Sequence, residues 1–242
     1  MSAVRNLVRY SKRAFAVVRG QDVWQGAQIR CERLYLGDER ACWCICPDEL
    51  SSESIVYSFG IGENISFDLE LISHFGVNVH SFDPTPRSLE WLDRQKLPER
   101  FIVHRYGLAN YEGACMLFPP ENPLYVSHSA IQRRSSASPI EVPVHKIGTI
   151  MQLLGHDRIN LLKMDIEGAE YDVLADLLAT GIRVDQLLVE FHHRWPSVGL
   201  DRTREAIRQL NRAGHHIFNV SPNGEEYSFK RVSSAKTSAA LA

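Results

Sequence analysis

Apolar residues come along this chain in short bursts, and the spacing inside the bursts alternates between two periods. Residues 54–59 (SIVYSF), 77–82 (VNVHSF), 101–105 (FIVHR), 159–164 (INLLKM) and 186–191 (QLLVEF) are compact, β-rich runs of the kind a strand covered on both faces presents. Between them the spacing lengthens to that of a helix. Phe67, Leu71, Ile72 and Phe75 recur at helical intervals after Ser66, which suits a helix N-cap, and Gly76 suits the position just past the end. Thr85 and Pro86 open a second helical stretch to about residue 94. Residues 147–154, 169–179 and 203–213 read as three more, the last two closed by Gly181 and Gly214. Residues 216–220 and 226–231 flank Asn223-Gly224, a strong hairpin signal.

Strands alternating with helices predict an α/β fold: a mostly parallel sheet with helices on both faces, to which the closing hairpin adds an antiparallel strand. Residues 115–145 interrupt the alternation with Pro119, Pro120, Pro123, Pro139 and Pro143 and the polar run SHSAIQRRSSASP. A loop or lid is expected there, with short strands around Met116 and Val142. The expected organisation is a basic amphipathic helix over residues 1–25, one domain over 26–231 and a disordered tail of small polar residues over 232–242.

Composition narrows the class. A length of 242 residues suits one α/β domain, and a net charge of −2 argues against general nucleic-acid binding. The charge is uneven, because residues 1–20 carry Arg5, Arg9, Lys12, Arg13 and Arg19 and no acid. A helix there turns Val4, Leu7, Val8, Phe15 and Val18 towards one side, fit to pack on the domain, to lie on an anionic membrane or to meet a partner. Charges interrupt every apolar run, so neither a secretory signal nor a membrane span is expected, and the setting is expected to be cytoplasmic. Cys42, Cys44 and Cys46 alternate in a strand pattern with Trp43 and Ile45 on the opposite face. Without C-x2-C pairs they read as small buried hydrophobes in a reducing compartment rather than zinc ligands.

In a sheet of this kind ligands sit beyond the carboxyl ends of the strands, so the strand ends carry the candidate chemistry. In VYSFGIGENISFDLEL the first strand stops at Gly60-Ile61-Gly62 and a helix follows. Glycines in such a turn allow positive φ and let a ligand approach the backbone. The next strand ends at Asp83-Pro84, with Asp83 placed 21 residues after Gly62. An acid about 20 residues on is where nucleotide-binding α/β folds grip a ribose. The third glycine of a dinucleotide fingerprint is missing, since Ile65 stands in its place, and Glu63 would repel a pyrophosphate. A cofactor with a ribose and positive charge but no phosphate fits better, and S-adenosylmethionine is one.

The later strand ends are Gly107-Leu108, Asp165-Ile166-Glu167-Gly168 and Glu190-Phe191-His192-His193. Acids at the start of a helix are favoured by its dipole, which suffices for Glu170 but explains Asp165 less well. Period two puts Glu190 and His192 on one side of their strand and His193 on the other. His192 supported by Glu190 is the first candidate for a general base, and Asp165 the second. A divalent metal held by Asp165, Glu190 and His192 is an alternative way to lower the pKa of an acceptor.

The stretches VYSFGIGENISFDLEL, VHSFDPTP, YGLAN and above all INLLKMDIEGAEYDVL resemble the FkbM-type methyltransferases over roughly residues 50–230. The resemblance implies a Rossmann-like class I fold with a seven-stranded sheet whose last hairpin strand is reversed, and O-methylation of a sugar, glycan or secondary metabolite. It also implies S-adenosylmethionine contacts at Gly60, Ile61, Gly62, Glu63, Asp83, Pro84, Gly107, Leu108 and Asp165. Gly60 and Gly62 would line the methionine part, Asp83 the ribose, Gly107-Leu108 the adenine, and Asp165 the region of the transferred methyl. The rival classes are an NAD-dependent oxidoreductase and a non-catalytic nucleotide-binding module. The acceptor itself, small molecule or glycan, leaves no decodable motif.

Overall fold

A computed structural model describes residues 3–119, 129 and 138–232. Along the chain run α1 (Ala3–Val18), β1 (Leu34–Leu36), β2 (Trp43–Ile45), β3 (Ile55–Phe59), α2 (Ser66–Phe75), β4 (Asn78–Phe82), α3 (Pro86–Leu92), β5 (Phe101–His104), β6 (Gly107–Leu108), β7 (Gly113–Leu117) and β8 (Ile140–His145). They are followed by α4 (Ile147–Leu154), β9 (Ile159–Met164), α5 (Glu170–Thr180), β10 (Val184–Glu190), α6 (Leu200–Arg212), β11 (His215–Val220) and β12 (Glu226–Arg231). The expected tail after its first residue, Val232, and most of the proline-rich stretch lie outside the described residues.

The main sheet has seven strands in the order β11-β12-β10-β9-β3-β4-β5. Neighbours are parallel except at β12, which runs antiparallel to both β10 and β11. This is the expected sheet with its reversed hairpin strand. Alternation along the strands divides the core. Tyr57, Leu162 and Leu187 join α4, α5 and α6 on one face, while Val56, Leu161 and Leu188 join Phe67 and Leu71 of α2 on the other.

On that second face helices do not do all the covering. β1 and β2 form an antiparallel ribbon that contributes Leu36, Trp43 and Ile45 to the same cluster. Cys44 and Cys46 are buried on its reverse side against Ile29 and Phe218, as the alternation implies, while Cys42 is only half-buried and stands outside that cluster; all five cysteines are free thiols. The Gln186 side chain accepts from the Cys46 amide at 2.8 Å and donates to its carbonyl at 2.7 Å, which pins the ribbon to β10. A second, three-stranded sheet in the order β6-β8-β7 accounts for the strands expected near Met116 and Val142.

One local expectation changes. Ser66 is the first residue of α2 rather than its cap, and Ile65 in the cap position offers no side-chain bond. Asn64 takes over, its Oδ1 accepting from the Ser66 amide at 3.0 Å and the Ser66 hydroxyl at 2.8 Å.

Candidate active site

Sheet register assembles the site. Phe59, Phe82, Met164 and Val189 lie level across four adjacent strands. The residues that follow them, Gly60, Asp83, Asp165 and Glu190, therefore leave the sheet side by side at its carboxyl edge. Gly60 has φ 83°, and a Cβ there would run into the Asp165 carbonyl oxygen, so its lack of a side chain lets the two strand ends close on each other. Gly62 has φ 58° with open space where a Cβ would stand.

Asp83 locks the glycine turn. It is 4 % exposed, and its Oδ2 accepts from the amides of Ile61 at 3.1 Å and Gly62 at 3.0 Å. Its Oδ1 accepts from the Thr85 amide at 2.8 Å and hydroxyl at 2.6 Å. From inside the sheet, buried Lys163 donates to the carbonyls of Phe59 at 3.2 Å and Gly60 at 2.8 Å. The same device recurs at the second turn. Glu170, fully buried, accepts from the Ile166 amide at 3.1 Å and the Gly168 amide at 3.0 Å. Between those amides Glu167 has φ 55°, the one positive φ at a non-glycine position among the described residues, and the Ser129 hydroxyl donates to its carbonyl at 2.8 Å.

Beside this turn lies an acidic cluster around one histidine. His192 Nδ1 stands 3.0 Å from Glu170 Oε1, at ion-pair distance though not aligned as a hydrogen bond. Its Nε2 is 3.5 Å from Glu167 and 3.9 Å from Asp165, and its ring packs on Trp195 at 4.4 Å. Burial pushes the His192 pKa down, but Glu170, then Asp165 and Glu167, outweigh it and hold the imidazole up at about 10. Glu190 moves the opposite way for a carboxyl: burial, then Asp165 and Glu226, raise it well above the usual range. The acids around His192 thus hold its imidazole charged at neutral pH, and burial beside Asp165 favours the protonated form of Glu190. His193 points away, as period two implies, and its Nε2 meets Asp22 at 2.7 Å. Arg194 completes that knot, donating to the other oxygen of Asp22 at 2.6 Å.

A cavity of about 270 Å³ opens over these strand ends. Gly60, Gly62, Asp83, Pro84, Gly107, Leu108 and Asp165 line it, seven of the residues expected to touch a cofactor. Ile61 and Glu63 do not. The Ile61 side chain packs with Ile65, Leu92 and Phe101, and Glu63 pairs with Arg87 at 3.0 Å. Glu190 and His192 lie off the cavity wall, adjoining Asp165. Sequence reasoning missed Asn110, Tyr111 and Cys115, which arrive with the small sheet, and Asp172 and Arg202, which pair at 2.7 Å. Asp172 alone carried a readable signal, an acid in the first turn of a helix.

One ligand atom each of Asp165, Glu190 and His192 falls within 4.8 Å of the others. Ligands of a magnesium-sized ion stand about 3 Å apart when adjacent and about 4 Å when opposed. The chemistry of the trio fits a divalent ion.

The Methyltransferase FkbM domain family matches residues 60–217. A probable methyltransferase-like protein 24 of Rattus norvegicus is 25 % identical over 218 residues, covering 80 % of this chain and 54 % of that protein. Its namesake in Homo sapiens is 27 % identical over 165 residues, covering 64 % and 39 %. The chain thus spans about half the length or less of these curated relatives. Among solved structures, Aeropyrum pernix fibrillarin with natively bound S-adenosyl-L-methionine aligns over 76 % of this chain and 67 % of its own, at 10 % identity and a TM-score of 0.40. A 16S rRNA (adenine(1408)-N(1))-methyltransferase from Catenulisporales acidiphilia aligns over 84 % and 98 %, at 13 % identity and 0.36. Both structural likenesses are too loose to carry weight. The family match is not: it runs from the first glycine of the Asp83-locked turn, through the Glu170-locked turn and into β11, and the chain belongs to the FkbM methyltransferase domain family.

Proposed function

We propose that this domain transfers a methyl group from S-adenosylmethionine to a hydroxyl of a sugar, glycan or secondary-metabolite acceptor. The observation that carries the choice of cofactor is the way Asp83 uses the glycine turn. A pyrophosphate binds such turns by accepting from their amides. Here the Ile61 and Gly62 amides already donate to a carboxylate, and that carboxylate adds repulsion. A cation meets the opposite field, because Asp83, Asp165 and Glu167 border the cavity while Arg202 and Asp172 offset each other. This weighs against an NAD-dependent oxidoreductase. The ribose hydroxyls would share Asp83 with the turn, and Leu108, Val142 and Val144 offer apolar walls for the adenine.

The cofactor supplies a methyl group already activated by positive sulfur, so the protein must align the acceptor and exclude water. The acceptor oxygen attacks the methyl carbon as the carbon–sulfur bond breaks towards sulfur, and the hydroxyl proton needs a base. With His192 held charged and Glu190 off the cavity wall, Asp165 on that wall takes that role. His192 acts as a positioning residue, its ring nitrogens facing Glu170 on one side and Glu167 and Asp165 on the other. A second reading places a divalent ion at Asp165, Glu190 and His192, and the buried, unpartnered Oδ1 of Asp165 favours it.

Calorimetry should give binding of S-adenosylmethionine or its demethylated product and none of NAD; the reverse would end the proposal. Asp165→Asn should lower turnover by about 10²–10⁴-fold and leave cofactor affinity within a few-fold. Inactivation by EDTA with rescue by magnesium or manganese would select the second reading. Cofactor binding without methylation of any hydroxyl acceptor from a source-cell extract would leave a non-catalytic module.

A further inference from the structure

We infer that α1 docks this domain onto an anionic membrane surface. The helix is attached to the domain by its polar edge. Arg13 is 5 % exposed, and its guanidinium donates to the carbonyls of Val23 at 3.2 Å, Gln25 at 3.4 Å and Ser221 at 3.5 Å. Half a turn away, the apolar side looks outward. Leu7 is 67 % exposed, Phe15 63 % and Val18 86 %, and Val8 lies on the same side. A helix packed on a core turns its apolar stripe inward, so this one is mounted in reverse. At 16 residues it is about 24 Å long, enough to lie along a membrane interface and too short to span one. No helix among the described residues is long and apolar enough to cross a membrane. Trp24, 65 % exposed beside the Arg13 guanidinium, adds a side chain that favours the interface.

Charge selects the occupant. Exposed Arg9, Lys12 and Arg19 flank the stripe, and the first 20 residues hold no acid. Arg19 lies over the Phe15 ring at 5.4 Å, which sets a positive charge directly beside the apolar contact. Two copies meeting by this face would press their basic flanks together, at a cost that grows as the surfaces desolvate. Acidic headgroups around an apolar layer match both features at once. The inference is independent of the methyl-transfer reading, because α1 contributes nothing to the cavity wall.

The test is sedimentation of the full chain with phosphatidylcholine vesicles, with and without phosphatidylserine. The wild type should pellet with the phosphatidylserine vesicles, stay in solution with the neutral ones and be released by raised salt. Removing two charges as Lys12→Ala with Arg19→Ala should weaken binding roughly thirtyfold, about fivefold for each. Phe15→Glu with Val18→Glu should abolish it, while thermal unfolding stays unchanged because both side chains stand in solvent. A wild type that ignores both kinds of vesicle overturns the inference, and so does a glutamate variant that pellets like the wild type. A dimer by size exclusion that the glutamate variant dissolves, with no vesicle binding by either, would assign the face to a second copy instead.

Discussion

A group of three histidines beside β4 and β5 and the single His192 after β10 are pushed in opposite directions. On the β4–β5 side, His80 Nδ1 and His104 Nε2 share a 3.0 Å hydrogen bond, and His156 takes a 2.7 Å bond with the Tyr57 hydroxyl. Burial, then the neighbouring His104 and His156, pushes His80 down to about 4. At the end of β10, burial acts on His192 in the same direction and loses to Glu170, Asp165 and Glu167. Enclosure alone makes a histidine neutral; what the adjoining strand end supplies decides whether it becomes a cation. The neutral group is made of side chains in or beside regular strands. The charged one exists only because two loops, after β9 and after β10, deliver acids and an imidazole to one place.

The sharpest way to break this contrast is mutational. His192→Ala leaves fully buried Glu170 facing no cation and should cost about 3–5 kcal/mol in urea unfolding. His80→Phe keeps a ring against its stacked neighbours and should cost only about 0.5–1.5 kcal/mol, a neutral hydrogen bond's worth. Equal costs would mean that the two groups do not differ in charge.

Titration tests the same contrast with a smaller effect. An unfolded histidine titrates near about 6.5. The folded pKa of His80 is lower, so its contribution is intact above about 6.5 and is lost as pH falls towards about 4. The folded pKa of His192 is higher, so its contribution is fully present below about 6.5 and is lost as pH rises towards about 10. Ring-proton NMR should therefore find midpoints on opposite sides of neutrality, and two midpoints near the unfolded value would refute both assignments. Smallest of all is the ranking of His192's partners. Glu170→Gln should lower its midpoint more than Asp165→Asn does, and the reverse order would show that the 3.0 Å pair is not the dominant one.

The strand ends were legible in the sequence because glycine and aspartate stop apolar runs abruptly, and Gly60, Asp83, Asp165 and Glu190 do meet at one edge. Their chemistry was less so. The charge of His192 depends on Glu167 and Glu170, which are distant in sequence and reach it through a turn with one positive φ outside glycine. Lys163 reads as an interruption of an apolar run, yet it ties Gly60 to β9 from within. Ile61 and Glu63 sit between and after two cavity glycines, but the turn rotates one into a core cluster and the other to Arg87. Of the β1–β2 ribbon only β2 was legible, through the alternation around Cys44; three-residue β1 is too short to show a period, and the ribbon's place over β10 is set by Gln186.

The knot of Asp22 with His193 joins residues 171 positions apart, and Arg13 reaches Ser221 across 208. Loops of that length close late in folding, since their entropy cost is met before any contact rewards it. On the ribosome the order is stricter still. α1 is synthesised before the β11–β12 hairpin, whose Ser221 carbonyl completes the seat of Arg13. Until that hairpin has been made, this apolar, basic helix lacks part of its seat, so any surface that suits α1 competes for it before folding is complete.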